Sequence, residues 1–373
     1  MSILEQLTIP VDGARINLPL CVDLDGTLVY SDTLADSMVS LTGSPRLLRA
    51  LLALPAGGRA AFKRRIAAAA RLDVETLPYN EELIAYLQGQ KEAGRYLVLA
   101  TAADQTIADA VARHLGLFDE VIGSDGERNL KGRAKAAALA QRFGEQGFAY
   151  AGNDAADIAV WRRAASAVLV NTDRATARKA EALAPVEARL PPRPAWTRPL
   201  LRAMRPHQWL KNLLVFLPIF TAHALGEAHA WIAATLTFLA FCATASSIYL
   251  VNDATDLAAD RRHPRKRRRP LASGALPVPI GLLAAVGLAA AGLVLAALGQ
   301  SLWVISAYAA ISLTYSVKLK ELPLVDVFIL AALYTIRVYG GGVATGHDLS
   351  LWLLGFCGFL FLGLALLLSL IHI

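Results

Sequence analysis

The chain has 373 residues, of which 55% are hydrophobic and only 18% are charged, so it is too long for one ordinary domain and too apolar for an average soluble protein. Nearly all charges precede Pro270 and residues 271–317 carry none, which indicates a soluble first half followed by a half that lies in lipid. The net charge of +7 is also local, because residues 252–270 hold seven Lys or Arg against three Asp, a cluster typical of contact with acidic groups, phosphate first.

The first twenty residues contain acidic side chains and no apolar core beside a basic start, so they predict neither a secretory signal nor a transit peptide. Cys21, Cys242 and Cys357 lie far apart, without a CxxC pair or a His cluster. This spacing argues against a disulfide framework and a zinc site, and it favours a reducing compartment for the first half. We therefore expect a cytoplasmic N-terminal domain on a multi-pass protein of a bacterial-type inner membrane.

From about residue 16 to residue 173, short apolar runs alternate with helical stretches. This alternation predicts an α/β Rossmann-like domain, with a parallel sheet and helices on both faces. Residues 33–90, between the first two strands, are too many for a simple crossover and have helical patterns, so we predict a small helical cap there. The domain is placed at 1–189, and the Pro-rich stretch that follows predicts a linker at 190–204.

Residues 205–373 are predicted to form an all-α polytopic transmembrane bundle, because their apolar segments have the length that crosses a bilayer. With the first domain in the cytoplasm, the loops after the second and fourth segments also face the cytoplasm, and these loops carry the Lys and Arg residues. The last segment ends without a flanking charge, so we expect a chain truncated at its C-terminus. The predicted spans are 208–224, 231–251, 278–298, 301–317, 323–345 and 350–371.

The first candidate site is the sequence DLDGT at residues 23–27, which follows an apolar run. Two carboxylates at the end of a buried strand can converge on one substrate, and the glycine permits a sharp exit. Asp23 is predicted to attack a phosphoryl group, while Asp25 protonates the leaving oxygen and later activates water. This motif resembles that of the haloacid dehalogenase (HAD) superfamily of phosphohydrolases, over roughly residues 16–175.

The resemblance implies roles for further residues of the first domain. Thr101, predicted to end the second strand, would hold the phosphate together with the backbone of Ala102, and Lys131 would offset the negative charge at a spacing that suits it better than Lys135. The last motif reads GNDAAD, with Asn153 where the family has its first acid. The implied Mg²⁺ ligands are oxygens of Asp23, Asp25, Asn153, Asp154 and Asp157.

The second candidate site lies at the end of the second predicted span. Asp253, Asp256 and Asp260 recur at spacings of three and four, so we expect them on one face of a helix, converging on divalent cations. Such carboxylates would repel one another unless metal and a diphosphate joined them, and the adjacent basic residues suit phosphate.

The string NDxxDxxxDRxHPxKRxRPxASG, from residue 252 to residue 274, resembles the first aspartate-rich motif of the UbiA-type polyprenyltransferase superfamily. RPHQWLKN and the stretch from Tyr315 to Gly346 extend the resemblance over roughly residues 200–373. It implies Mg²⁺ at the three aspartates and a set of substrate-binding residues. These are Lys211, Asn212, Asn252, Arg261, Lys266, Arg267, Tyr315, Lys318 and Arg337.

The closest similarity within that superfamily is to the decaprenyl-phosphate phosphoribosyltransferase branch, which has about nine spans where we predict six and carries a second aspartate-rich motif. The resemblance implies a bifunctional membrane enzyme of the cell envelope: phosphoribose is transferred to polyprenyl phosphate, and the HAD domain removes a phosphate from the product. One alternative transfers an isoprenyl group from its diphosphate to an aromatic or other acceptor. Another has a catalytically inert membrane half, or an HAD-like domain that only regulates. The expected partners are these lipids, a phosphorylated sugar or aromatic acceptor and membrane lipids, without nucleic acid.

Overall fold

The computed structural model describes residues 18–52, 54–70, 72–317 and 325–371. They form two compact units. The first unit contains the chain up to Trp196 together with the segment Thr255–Val278, and the second contains Thr197–Ala254 and the chain from Pro279 onward. The first division falls inside the predicted linker. The return of Thr255–Val278 to the first unit was not predicted.

Six strands form the sheet of the first unit: β1 (Leu20–Val22), β2 (Leu97–Asp104), β3 (Glu120–Ser124), β4 (Ala149–Gly152), β5 (Ser166–Leu169) and β6 (Val186–Arg189). They lie in the order β3-β2-β1-β4-β5-β6, and every neighbouring pair is parallel. Apolar clusters cover both faces, so the central strand β1 is fully buried. The predicted α/β fold is confirmed. Strand β6 was missed because it has four residues and two of them are charged.

Helices cover this sheet on its two faces, as predicted for an α/β fold. Among the described residues, eight α-helices precede Trp196, including those of the insertion: α1 (Thr33–Ser40), α2 (Pro45–Leu52), α3 (Leu54–Ala69), α4 (Glu81–Glu92), α5 (Gln105–Leu115), α6 (Arg133–Phe143), α7 (Ile158–Trp161) and α8 (Arg174–Glu181).

The helical insertion after β1 consists of α1, α2 and α3, which share a small core around Phe62 and Ile66. Helix α4 was predicted within the cap, but it packs on the sheet. Its Leu83 and Leu87 are fully buried in the same cluster as β1 and β2. The insertion is therefore shorter than predicted, because α4 serves as the crossover helix between these two strands.

The rest of the chain is helical. The bounds are α9 (Thr197–Ala203), α10 (Leu217–Thr221), α11 (Ala228–Thr255), α12 (Leu257–Arg262), α13 (Val278–Leu298), α14 (Leu302–Val317), α15 (Val325–Thr345) and α16 (Leu351–Ile371). Helix α12 belongs to the first unit. The other seven lie in the second unit, so the predicted all-α character of this half is confirmed.

Three helices are long and apolar enough to cross a membrane, within the residues the structure describes: α11, α13 and α15. These three helices correspond to the predicted spans 231–251, 278–298 and 323–345. The first predicted span, 208–224, is instead a 3₁₀ helix (Pro206–Phe216) followed by the short α10, and Pro218 at the start of α10 interrupts any continuous helix. Two further apolar stretches, Leu302–Ser316 in α14 and Leu351–Leu367 in α16, are shorter.

Candidate active site

Asp23 lies directly after β1, at the carboxyl end of the central strands. Its backbone N–H donates to the carbonyl of Ala151 in β4 at 3.0 Å, so the pairing of β1 with β4 continues to Asp23. Open parallel sheets bind ligands at this end, next to the point where the strand order reverses. The structure thus places Asp23 where its motif predicts it.

The ammonium group of Lys135, in α6, contacts Asp23. Its Nζ lies 2.8 Å from Asp23 Oδ1 and 3.9 Å from Asp157 Oδ1, and it donates to the hydroxyl of Tyr150 at 2.8 Å. The Lys135 side chain is only 5% exposed, so these carboxylates compensate a charge that burial would otherwise disfavour. The sequence favoured Lys131 as the lysine that offsets this charge. Lys131 lines the same cavity, and its phosphate-binding role stays a prediction.

Asp25 is held by the start of the helical insertion, because the backbone N–H of Thr33 donates to its Oδ1 at 2.8 Å. Burial raises the pKa of Asp25 to about 7. Burial also raises the pKa of Asp23, to about 6, although Lys135 opposes this shift. A carboxyl that titrates near neutral pH suits proton transfer in both directions. Asp25 therefore has an ionisation compatible with the predicted acid and base.

Asp157 is buried and has both carboxylate oxygens engaged. Oδ1 accepts the hydroxyl of Tyr150 at 2.8 Å, and Oδ2 accepts the backbone N–H groups of Asn153 and Asp154 at 2.9 and 3.2 Å. Asp157 thus orders the turn after β4 that carries the other two residues of the last motif. The sequence did not predict this role.

Asn153 packs against the DLDGT turn. Its Oδ1 accepts the hydroxyl of Thr27 at 3.2 Å. Gly26 has a φ of +76°, and a Cβ built on it would lie 2.3 Å from Asn153 Nδ2, so only glycine fits there. Asp154 is exposed, lines the cavity and accepts the N–H of Ala156.

The oxygen donors at this site fit a hard cation such as Mg²⁺. Asp23, Asp25, Asn153 and Asp154 line the same cavity, and so does Asp157. In the part of the chain that the structure describes, no group of three His, Cys, Asp or Glu side chains is arranged as a metal site. Mg²⁺ held by few protein oxygens usually keeps several water ligands.

Thr101 is fully buried inside β2, and its hydroxyl accepts the N–H of Ala103 at 3.0 Å. The prediction that Thr101 ends this strand was wrong, because β2 continues past a register irregularity to Asp104. Ala102 lines the cavity. Its carbonyl accepts Lys63 Nζ at 2.7 Å, so a lysine of α3 in the cap reaches the sheet.

These groups surround one cavity of about 740 Å³ in the first unit. Its floor holds Asp23, Asp25 and Lys135, and the cap contributes Phe62 and Lys63. A volume in this range accommodates a whole organic ligand rather than a phosphate group alone.

The aspartate-rich motif does not form the continuous helix that its spacing predicts. Helix α11 ends at Thr255 and α12 begins at Leu257, with Asp256 between them at a φ of −86° and a ψ of 7°. Thr and Asp are weak helix formers, because their side chains compete for backbone hydrogen bonds. Asp253 falls in the second unit, whereas Asp256 and Asp260 fall in the first.

The basic residues of the segment Thr255–Val278 divide into buried and exposed groups. Arg261 is buried, and its Nη1 lies 2.8 Å from Asp36 Oδ2 of α1, with both side chains 5% exposed or less. Asp260 pairs with Arg269 at 2.7 Å. Lys266 and Arg267 are exposed on a short 3₁₀ helix. Arg261 was predicted to bind the transferase substrate, and that role stays a prediction.

In the second unit, Asn212 and Arg337 meet as their motifs imply. Arg337 is 6% exposed, and its Nε donates to Asn212 Oδ1 at 2.7 Å. Its guanidinium also lies within 6 Å of three aromatic ring centres, those of Phe241, Tyr308 and Tyr334. Lys211 Nζ lies 5.4 Å from the ring centre of Tyr334.

The other described residues predicted for this half have different partners. Asp253 pairs with Arg205 at 2.5 Å. Asn252 donates to the hydroxyl of Ser316 at 2.9 Å, and the Tyr315 hydroxyl donates to Asp326 at 2.5 Å. Lys318 lies outside the described residues.

Asp253 and Asp260 pair with arginines. The role of the three aspartates of the motif as Mg²⁺ ligands stays a prediction.

Sequence reasoning missed several residues that the structure brings to these sites. Lys135 was considered and set aside on spacing, whereas Lys63, Tyr150, Asp36 and Arg205 carried no motif signal. Their positions depend on contacts between distant parts of the chain, which a linear pattern does not encode.

The fold and the site define a two-part protein: an α/β domain with an acidic pair at the end of its central strand, followed by a helical membrane domain. Residues 20–162 match the haloacid dehalogenase-like hydrolases, and residues 213–372 match the UbiA prenyltransferase family. The chain belongs to the UbiA prenyltransferase family and carries an HAD-like hydrolase domain before it. Both are enzyme families, so the predicted families and the predicted enzyme class are confirmed.

Similar curated proteins cover the chain to different extents. The protein y4nM of Sinorhizobium fredii is 38% identical over 97% of this chain and 71% of its own length. A decaprenyl-phosphate phosphoribosyltransferase of Corynebacterium glutamicum is 41% identical over 42% of this chain and 48% of its own length. The nodulation protein NoeC of Azorhizobium caulinodans is 41% identical over 44% and 53%. The chain thus spans about half the length of the latter two.

Proposed function

We propose that the first unit hydrolyses a phosphate monoester through a covalent intermediate on Asp23. A carboxylate oxygen of Asp23 attacks phosphorus, and the ester P–O bond breaks. Asp25 gives its proton to the leaving oxygen, which departs as an alcohol. The Asp25 carboxylate then takes a proton from water, which attacks phosphorus, releases inorganic phosphate and restores Asp23.

The observation that carries this proposal is the contact of Lys135 with Asp23 at the base of a cavity that also holds Asp25. Lys135 keeps a carboxylate at the attacking position and offers positive charge toward the phosphoryl oxygens. Mg²⁺, when bound by Asp23, the Asp25 carbonyl and Asn153, supplies further neutralisation of phosphate charge.

The test is hydrolysis of p-nitrophenyl phosphate by the purified full-length protein with Mg²⁺. Asp23→Asn removes the nucleophile and is expected to lower kcat by about 1000-fold or more. Asp119→Asn, which changes an exposed carboxylate paired with Lys91, is the matched control and should retain the wild-type rate. Equal activity of wild type and Asp23→Asn would refute the proposal.

We further propose that the UbiA-type half transfers phosphoribose from phosphoribosyl diphosphate to a polyprenyl phosphate. An oxygen of the lipid phosphate attacks the anomeric carbon, and the diphosphate leaves with the electrons of the broken C–O bond. The similarity to phosphoribosyltransferases named for this reaction supports the proposal. So does the density of Lys and Arg in the motif, since a departing diphosphate needs positive charge.

Phosphoribosyl diphosphate and polyprenyl phosphate, given to the full-length protein with Mg²⁺, should release diphosphate. Asp256→Ala is expected to lower that rate about 100-fold, whereas Glu227→Gln, at a residue that pairs with His347, should not. An unchanged rate in Asp256→Ala would contradict the proposal. If both activities hold, the phosphatase can remove the 5-phosphate of the transferase product and leave a lipid-linked pentose for cell-envelope polysaccharide.

We also propose that the first unit faces the cytoplasm of a bacterial-type inner membrane. The positive-inside rule supports this orientation, because the basic segment belongs to the first unit. Labelling a single cysteine placed at Arg265 should need membrane permeabilisation, and labelling of intact cells would contradict the orientation.

A second candidate for the helical half is transfer of an isoprenyl group to an aromatic or other acceptor. The match of residues 213–372 to the UbiA prenyltransferase family supports it. Consumption of geranyl diphosphate rather than phosphoribosyl diphosphate would favour this candidate.

A further inference from the structure

One wall of the phosphatase cavity comes from outside the region that matches the HAD-like hydrolases. Gly274, Ala275 and Pro277 line the same cavity as Asp23 and Asp25, together with Pro194 and Trp196. We call these five residues the distal wall. Gly274 ends the string that resembles the UbiA motif, so the distal wall joins that motif to the phosphatase cavity within the first unit.

Arg193 fixes the distal wall in place. Its guanidinium donates to the carbonyl oxygens of Gly274 and Ser273, the latter at 3.3 Å. The same group stacks on the ring of Tyr30, with Cζ 3.1 Å from the ring centre. Arg193 thus joins the turn at residues 273–277 to the chain that leaves β1.

Gly274 lies against Tyr30 so closely that no side chain fits. Its φ is +67°, and a Cβ there would lie 2.8 Å from the carbonyl oxygen of Tyr30. Both the left-handed backbone and the close approach require glycine. The turn therefore has one defined position on the cavity.

A second contact holds the same segment at its other end. The buried pair of Arg261 with Asp36 places α12 against α1, and Arg261 Nε donates to the carbonyl of Ala272 at 3.2 Å. Arg262 adds an exposed pair with Asp73 at 2.8 Å. Because Arg261 contacts both α1 and the residue directly before the turn, the cap and Arg193 together set the position of the distal wall.

The chemistry of the cavity changes from one side to the other. The distal wall is apolar, with two prolines, an alanine and the half-exposed indole of Trp196. On the cap side, Ser31 and Thr33 line the cavity with hydroxyl-bearing side chains. A ligand that fills this volume would meet hydroxyl groups on one side and an apolar surface on the other.

We propose that the distal wall binds the organic part of the phosphatase substrate, and that this part is amphiphilic, with an apolar portion against Trp196. The inference rests on the proposed phosphohydrolase function and specifies its substrate class. Arg193 is a positioning residue, since it acts through the wall and not on the phosphate.

The experiment uses the full-length protein with Mg²⁺ and two phosphate monoesters, 1-naphthyl phosphate and ribose 5-phosphate. Trp196→Ala removes apolar contact area and should raise the KM for 1-naphthyl phosphate about fivefold to tenfold. The KM for ribose 5-phosphate and both kcat values should stay within about twofold. Arg193→Ala should show the same split, and Arg193→Lys, which can still donate to the two carbonyls, should recover most of the affinity.

Arg163→Ala is the matched control, because Arg163 pairs with Glu145 at an exposed site outside the cavity. An unchanged KM for 1-naphthyl phosphate in Trp196→Ala would overturn the inference while leaving the phosphatase intact. Equal losses on both esters would also overturn it, since they would indicate damage to the catalytic groups. Absence of Asp23-dependent hydrolysis in the wild type would refute the proposed function and the inference with it.

Discussion

Replacement of Lys135 by Met should abolish the phosphatase activity and destabilise the first unit. The Lys135 ammonium lies 2.8 Å from Asp23 Oδ1 and 3.9 Å from Asp157 Oδ1. At an effective dielectric constant of about 20, a unit charge pair at the shorter distance attracts by about 6 kcal/mol and one at the longer distance by about 4 kcal/mol. Desolvation of the ammonium offsets much of this, so the expected net loss is about 3–5 kcal/mol of unfolding free energy, typical of a broken buried pair.

The loss of activity should exceed what instability explains. Removing one preorganised charge at a reacting group typically lowers kcat by about 100-fold to 1000-fold. We therefore expect this loss in p-nitrophenyl phosphate hydrolysis measured well below the Tm of Lys135→Met. Lys131→Met is the control, and it should mainly raise KM, because Lys131 lines the cavity whereas Lys135 forms the ion pair with Asp23. If Lys131→Met lost kcat and Lys135→Met did not, the assignment of Lys135 would be refuted.

Three further predictions concern a second buried ion pair, the metal requirement and the helical half. Arg95→Met should lower the unfolding free energy of the first unit by about 3–5 kcal/mol, because Arg95 and Glu187 form an ion pair in which each side chain is only 1% exposed. A loss below about 1 kcal/mol in denaturant unfolding would show that the pair contributes little. Chelation by EDTA should stop p-nitrophenyl phosphate hydrolysis and added Mg²⁺ should restore it, whereas full activity in EDTA would exclude the proposed metal role. Arg337→Met should lower the unfolding free energy in detergent by about 1.5–3 kcal/mol, because it removes the charged hydrogen bond to Asn212. An unchanged melting curve would contradict a structural role for that bond.

The sequence predicted those features that depend on local pattern. Alternating apolar runs indicated a parallel sheet, and DLDGT indicated where its central strand ends, because both signals lie within a few neighbouring residues. The apolar content of α11, α13 and α15 likewise marked them as helices that can cross a membrane.

Features that depend on contacts between distant segments were not predictable. Lys131 and Lys135 are four residues apart, and spacing alone does not say which one the start of α6 turns toward Asp23. The basic residues around Arg261 in the sequence indicated a phosphate ligand. In the structure Arg261 instead pairs with Asp36, which lies 225 residues earlier in the chain. The break at Asp256 depends on which of two competing hydrogen-bond patterns the backbone adopts.

The first unit is discontinuous in the gene, because its second segment follows α11. A recombination event in the linker after Trp196 would transfer the sheet and the cap but leave Gly274 and Pro277 behind. In the recipient protein, the cavity of the transferred domain would lack the part of its wall that residues 274–277 form. The buried carboxylate of Asp36 would also lose Arg261, its ion-pair partner. A transfer of this domain between proteins would therefore keep its cavity closed only if the segment Thr255–Val278 were inherited with it.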